Sequence, residues 1–369
     1  MINVQESTGG QTYDVMTRGF GWTANSRIEF ELQGGWSDVD GTPVQTGHSA
    51  IVDGDGTIDE RGIHLYDGYH GFDKWITVNR FMISNVTTGI RLHGKDHTDS
   101  ADQKLLLQES EIHANAHGVQ LYRLHSYGLS HGAGANVQLT AENVDIEAGL
   151  GGSGDGVRIN GAYIGTSIKG VGANPVTGSP RVCTITSADG EGVHLDSTTW
   201  DMGIASFSNV VIYACSSNAI YMKAWRINSG PWYEVRATLA HCTIVDNAGD
   251  GVRIETEDAS SWANVKDSIL ANNSEHGLNL GNAVFSNFAA YEDHNVFFND
   301  DIVVNGAVQG LDATSSGANP LLLESGTQPV PWYSISSRTS PAYRGAVDGS
   351  HRGAYQDLMI PTPTVIRLR

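Results

Sequence analysis

One short phrase constrains this chain more than any other feature: a small residue, an aliphatic, a variable residue and a second aliphatic. Its copies are Gly62-Ile-His-Leu65, Gly89-Ile-Arg-Leu92, Gly118-Val-Gln-Leu121, Gly156-Val-Arg-Ile159, Gly192-Val-His-Leu195, Ala219-Ile-Tyr-Met222, Gly251-Val-Arg-Ile254 and Gly277-Leu-Asn-Leu280. Subtracting successive start positions gives spacings of 27, 29, 38, 36, 27, 32 and 26 residues. Periods of about 20–50 residues are the signature of stacked repeats. Within each phrase apolar and variable side chains alternate, which is the periodicity of a strand.

A second β-rich run precedes most copies, as in Ile76–Ile83, Cys183–Thr186, Val210–Tyr213 and Cys242–Val245. A turn rich in Asn, Asp and Gly separates the two runs. Asn85, Asn247 and Asn273 each lie four residues before a repeat glycine. Asparagine tolerates left-handed backbone there, and amides stacked at one position would bond to each other. No long segment shows a 3.6-residue apolar period, so little helix is expected. A strand that cannot bury its face alone must stack on copies of itself. With one strand set per repeat running in one direction, the expectation is an all-β parallel β-helix, a solenoid with its coils about 4.8 Å apart. Cys183 and Cys242 each precede their repeat glycine by nine residues, with Val210 at that place in the coil between. Two coils separate them by about 9.6 Å, too far for a disulfide. With Cys215 they are expected to be buried thiols.

The opening Leu32-Gln-Gly-Gly-Trp36 and Ile51-Val-Asp-Gly-Asp-Gly-Thr57, and the later Asn319-Pro-Leu-Leu322, Ser340-Pro-Ala-Tyr343 and Gly353-Ala-Tyr355, resemble right-handed parallel β-helix proteins of the pectate-lyase-like superfamily, in particular bacterial surface and phage β-helix repeat proteins. The resemblance implies a single-stranded right-handed parallel β-helix with capping ends. It also implies a choice among polysaccharide lyases, hydrolases, epimerases, tailspikes and adhesins, because one fold hosts many functions. The polygalacturonase pattern of paired aspartates, Gly-His-Gly and Arg-Ile-Lys is missing. Tyr127-Gly-Leu-Ser-His131 is similar to an alginate-epimerase phrase without its acidic residue.

Open solenoid ends need covering. Residues 1–48 are read as the starting cap, 49–304 as the coils, and 305–369 as the closing segment and tail. The 41 acidic against 22 basic side chains give a net charge of −19, which excludes the basic footprint of a nucleic-acid partner. No run of about 18 apolar residues offers a membrane span, and the N-terminus lacks a signal-peptide pattern.

Alternation also says which side chains point outward. The first outward column reads His64, Arg91, Gln120, Arg158, His194, Tyr221, Arg253 and Asn279; the second reads Tyr66, His93, Tyr122, Asn160, Asp196, Lys223, Glu255 and Gly281. Catalytic candidates are His194, Asp196, Tyr221, Lys223, Arg253 and Glu255. Candidates for holding substrate are Arg158, Asn160, Trp200, Trp225, Arg226, Trp232 and Trp262, the tryptophans following three consecutive phrases. Aromatic rings suit the C–H faces of sugars, and carboxylates, amides and guanidiniums suit their hydroxyl edges. Hydrolysis would use Asp196 and Glu255, two coils apart. Lysis would use His194 or Tyr221 as base with Arg158, Lys223 or Arg253 stabilising charge.

The expectation is therefore an extracellular, cell-surface or virion-associated protein that binds an extended polysaccharide, with cleavage left open. The alternative is a non-catalytic structural or adhesive protein working through protein contacts, with a trimer as the oligomer to test. No metal or other cofactor is expected. Asp53–Glu60 alternates carboxylates as a calcium loop does but lacks the distal glutamate. His93–Asp102 reads as a solvated loop, and Gly149–Gly156 has no following helix with which to cradle phosphate.

Overall fold

The computed structural model describes residues 2–5, 28–39, 42–45, 48–52, 61–67, 74–94, 103–123, 136–161, 163–173, 181–197, 203–224, 234–256, 260–281, 291–304, 306–311, 313–322, 335, 338–348 and 350–354. Among them the regular structure is all β, in long parallel sheets and without helix. Each repeat supplies three strand segments rather than the two that the sequence shows plainly, and like segments pair in parallel from repeat to repeat. Ladder A includes Lys74–Asn79, Gln103–Gln108, Asn136–Glu142, Tyr163–Lys169, Gly203–Ser208, Glu234–Ala240 and Ser260–Lys266. Ladder B includes Asp145–Ala148, Cys183–Ser187, Val210–Tyr213, Thr243–Val245, Ile269–Ala271 and Val296–Phe298. Ladder C contains the repeated phrase, in Arg61–Asp67, Val157–Gly161, Val193–Ser197, Ile220–Ala224, Val252–Thr256 and Leu278–Gly281. Two longer strands, Phe81–Gly94 and Glu111–Arg123, run through both B and C and join them.

The core is built by stacking like on like. Ladder B contributes Ile83, Ile112, Ile146, Ile185, Ile212, Ile244, Leu270 and Phe297 in successive register, all buried. Ladder A contributes Val78, Leu107, Ala141, Ile168, Phe207, Leu239 and Val265. Ladder C contributes Ile63, Ile90, Val119, Val157, Val193, Ile220, Val252 and Leu278. These columns form one continuous cluster, and each of their Val, Leu, Ile and Phe side chains contributes roughly 1.5–3 kcal/mol by burial.

The corners repeat as well. Between A and B the chain turns through left-handed residues: Arg80, Glu109, Asn143, Asn209, His241, Asp267 and His294, with φ from 47° to 61°. The amides of the first six are fixed by carbonyls of the next repeat, as in Glu109 N–H to Glu142 O at 2.9 Å, and that of His294 by the Thr314 hydroxyl at 3.1 Å. Between B and C, Asn85, Asp246, Asn272 and Asn299 play the same part. The amide ladder expected from Asn85, Asn247 and Asn273 forms only at its later end. Asn247 donates to Asn273 at 2.8 Å, and Asn273 donates to Asp300 at 2.6 Å. Asn85 is instead exposed and is itself the left-handed residue, with φ 57°.

Burial, reinforced by Asp301 and Asp246 and opposed by the Asn273 hydrogen bonds, pushes the Asp300 carboxyl up to about 6 from 3.8. A folded-state value above the unfolded one stabilises the fold below the unfolded value, and that stability is lost as pH rises through the folded value. The parent should therefore lose up to about 3 kcal/mol between pH 4 and 7 from this group. Asp300→Asn should flatten that slope in urea titrations at several pH values; an unchanged slope would refute the assignment.

The repeat glycine is set by close approach. A Cβ at Gly118 would lie 2.4 Å from Ile146 Cγ2 and 2.6 Å from the Gly156 carbonyl oxygen. Gly62, Gly89, Gly156 and Gly192 meet the same pair of neighbours in their own repeats. Ala219 stands at one such step, so the sharper test is a β-branched side chain. Gly118→Val should cost about 1–3 kcal/mol in chemical denaturation through overpacking.

The three cysteines are buried and free, and burial pushes each thiol up to about 12. Cys183 pairs in register with Val210, and Val211 with Thr243, so Cys242 lies two rungs from Cys183.

The later strands of ladder B are apolar on both faces. Val211, Val245, Ile269, Ala271 and Val296 point away from the core, yet they are buried in a second cluster with Ile335, Ala342 and Ala354. The described residues of the C-terminal segment therefore lie along the outside of ladder B. Arg352 fastens them there, donating to the carbonyls of Asn295 (3.0 Å), Thr314 (2.8 Å) and Gly345 (2.8 Å). The Gly353 N–H donates to Asp267 O at 2.8 Å and the Ala354 N–H to Thr243 Oγ1 at 3.1 Å.

Candidate functional site

Ladder C aligns its outward side chains in unbroken register. His64, Arg91, Gln120, Arg158, His194, Tyr221, Arg253 and Asn279 occupy consecutive rungs of the first column. Asn160, Asp196, Lys223, Glu255 and Gly281 occupy those of the second, whose backbone register continues back through positions 122, 93 and 66. A third column went unread in the sequence. The residue just before each repeat glycine or alanine is polar throughout: Arg61, Thr88, His117, Asp155, Glu191, Asn218, Asp250 and His276. Their carbonyls line up by accepting the next amides in turn, as in Gly118 N–H to Asp155 O and Gly156 N–H to Glu191 O. That unbroken polarity was the signal available in the sequence.

In the middle repeats the three columns merge into one network. Asp155 is placed by the glycine-rich turn before it. A Cβ on Gly154 would fall 2.4 Å from the Ala116 backbone, so only glycine lets the turn close over His117. The Asp155 N–H then donates to His117 Nδ1 at 2.9 Å, and Asp155 Oδ1 accepts the Glu191 N–H at 3.1 Å. Arg158 donates to Asp155 Oδ2 at 3.2 Å. His194 Nδ1 lies 3.5 Å from Asp155 Oδ2 and 3.6 Å from Glu191 Oε2, and is buried without a hydrogen bond of its own. One rung on, the Tyr221 ring meets His194 edge-on with centroids 5.0 Å apart, and its hydroxyl donates to Glu255 Oε2 at 2.7 Å. Arg253 Nε donates to Glu255 Oε1 at 2.8 Å. Asp250, fully buried, accepts the His276 N–H and the Asn279 amide, each at 3.0 Å.

The surroundings drive neighbouring groups apart in acidity. Burial works against the charge on Asp155, but His194 and Glu191 outweigh it and hold the carboxyl well below the usual range. Burial likewise opposes the charge on His194, and the two carboxylates win, raising it to about 9. Because Nδ1 lacks hydrogen-bond geometry, that push is Coulombic. Burial lowers His117. Asp196 is raised by burial against the pull of His194, Lys223 and Arg158, and its Oδ1 is buried without a hydrogen bond. Glu255 is lowered, with burial overcome by Tyr221 and Arg253. Tyr221 is raised by burial and by Glu255.

Eight of the residues expected in the site, Arg158, Asn160, His194, Asp196, Tyr221, Lys223, Arg253 and Glu255, thus share one surface. Trp262 lies in ladder A, on the rung of Arg236, rather than in a loop after ladder C. Trp200, Trp225, Arg226 and Trp232 lie outside the described residues, as do Asp53–Glu60 and residues 95–102. Gly149 adopts φ 69°, and the glycine-rich turn ends by placing Asp155. No protein-family model, no curated protein and no solved structure matches this chain.

Proposed function

We propose that this chain is a right-handed parallel β-helix of the pectate-lyase-like kind, with capping ends, acting outside the cell or on a virion. It binds an extended polysaccharide along the outer face of ladder C. The observation that supports this reading is the pair of outward columns in register, which repeats a polar or aromatic group every ~4.8 Å along a straight strip. A glycan chain is the linear ligand such a strip matches, with Tyr221 offering a ring face and Asp196, Lys223 and Asn160 offering hydroxyl partners.

Where the bound chain is cut, hydrolysis fits better than elimination. Elimination needs a free base. The Tyr221 hydroxyl already donates to Glu255, and the His194 Nδ1 is turned toward Asp155 and Glu191. Asp196 and Glu255 remain as a carboxyl pair, separated by the single rung of Lys223.

The alternative is a non-catalytic structural or adhesive protein, a surface fibre, adhesin or tail component, with the trimer of tailspikes as the assembly to test. The mutual pairing of Tyr221, Arg253 and Glu255 favours it, because it satisfies those groups without a ligand. Titration against neutral and acidic polysaccharides by calorimetry separates the two readings. Saturable binding that Lys223→Ala with Tyr221→Ala weakens at least tenfold supports the glycan reading. Absence of binding by folded protein, with a defined trimer by light scattering, supports the alternative.

A further inference from the structure

Asp155, Glu191 and His194 do more than pair charges. Each carboxylate commits one oxygen to a structural partner and turns the other toward the same gap. Asp155 Oδ1 holds the Glu191 amide at 3.1 Å, and Oδ2 faces the gap. Glu191 Oε1 accepts the Ser217 hydroxyl at 3.2 Å, and Oε2 faces the gap. The third wall is His194 Nδ1, buried and making no hydrogen bond. Side chains around the gap are well enclosed, with 4 % of Asp155, 20 % of Glu191 and 14 % of His194 exposed.

The spacing is informative. The separations of 3.5 Å and 3.6 Å are poor for hydrogen bonds, and the three ligand atoms lie within 4.8 Å of one another. Donors held at about 2.0–2.2 Å by one tetrahedral ion stand roughly 3.3–3.6 Å apart. The outer contacts are of the kind that orient metal ligands: Ser217 on Glu191, the Glu191 amide on Asp155, and the Tyr221 ring against His194. Arg158 also donates to Asp155 Oδ2, whose second lone pair stays open.

We propose that Asp155, Glu191 and His194 form a binding site for a borderline first-row divalent cation such as Zn2+. One imidazole and two carboxylates suit that class, whereas Ca2+ requires six to eight oxygens. Three protein donors leave a coordination position for water or a ligand oxygen. A proton on His194 is the competing occupant of the gap, and metal binding displaces it. The site stands apart from the glycan reading, because its readout is metal alone.

The test uses the full chain, stripped with chelator and titrated with Co2+ in visible absorbance and with Zn2+ by calorimetry. The expected result is one ion per chain with tetrahedral Co2+ bands, displaced by Zn2+ but not by millimolar Ca2+. His194→Ala should abolish the bands. Ser217→Ala, which leaves all three ligands in place, should weaken binding by about 10–100-fold. Circular dichroism confirms that each variant is folded. Absence of the bands overturns the site, as does displacement by Ca2+. Binding that survives both variants unchanged overturns it too, by placing the ion on other histidines.

Discussion

Arg352→Ala is expected to cost about 2–4 kcal/mol and to release the C-terminal segment from ladder B. Arg352 is only 7 % exposed, and its guanidinium donates to the carbonyls of Asn295, Thr314 and Gly345. Truncation removes three hydrogen bonds from a charged donor, each contributing about 1.5–3 kcal/mol before compensation. The Asn295 carbonyl keeps the Ser316 N–H and the exposed Thr314 turns to water, which reduces the loss. The consequence is specific to this architecture. Val211, Val245, Ile269 and Val296 point outward and are covered only because the segment containing Ile335, Ala342 and Ala354 lies over them. Losing the clamp should uncover an apolar stripe, seen as new binding of a hydrophobic dye and faster proteolysis between residues 335 and 354. A variant with unchanged denaturation and unchanged cleavage would show that Arg352 does not hold the segment.

The second large effect concerns catalysis. If the bound glycan is hydrolysed, Asp196→Asn and Glu255→Gln should each lower turnover by about 10²–10⁴-fold while changing KM much less. The two residues stand two rungs apart, about 9.6 Å at Cα level. That lies at the upper edge of the range, about 6.5–9.5 Å between carboxyl groups, that leaves room for the water of an inverting reaction, and far from the roughly 5 Å of a retaining one. The product anomer should therefore be inverted. Reducing-end release measures the rate, and absorbance from an unsaturated uronide would signal elimination instead. Retention of activity by both variants would place the chemistry elsewhere on the protein.

The outward columns of ladder C were readable residue by residue, because strand alternation and a recurring glycine fix both facing and register. Cys183, Val210 and Cys242 fell on consecutive rungs for the same reason. Ladder A was less legible. Its strands, such as Gln103–Gln108 with alternating burial, carry no shared phrase, and the number of residues between them and ladder C changes from repeat to repeat. The corner column of Asp155, Glu191 and Asp250 was hidden because corner residues follow no simple alternation. The left-handed backbone expected at the three asparagines is found at Asn85, whereas at the later corners it falls on the residue before, Asp246 or Asn272, and the asparagine amide bonds to the next repeat instead. The covering of ladder B had a visible cue in Val210-Val-Ile, Thr243-Ile-Val, Ile269-Leu-Ala and Val296-Phe-Phe. Such continuous apolar runs mark strands buried on both faces.

Hydroxyl-radical footprinting, with and without a saturating polysaccharide, tests most directly whether the outer face of ladder C holds the glycan. Protection should fall on Tyr221 and His194, while Tyr213 and His113 on ladder B keep their reactivity. Equal reactivity at Tyr221 in both states, or protection confined to ladder B, would contradict the account.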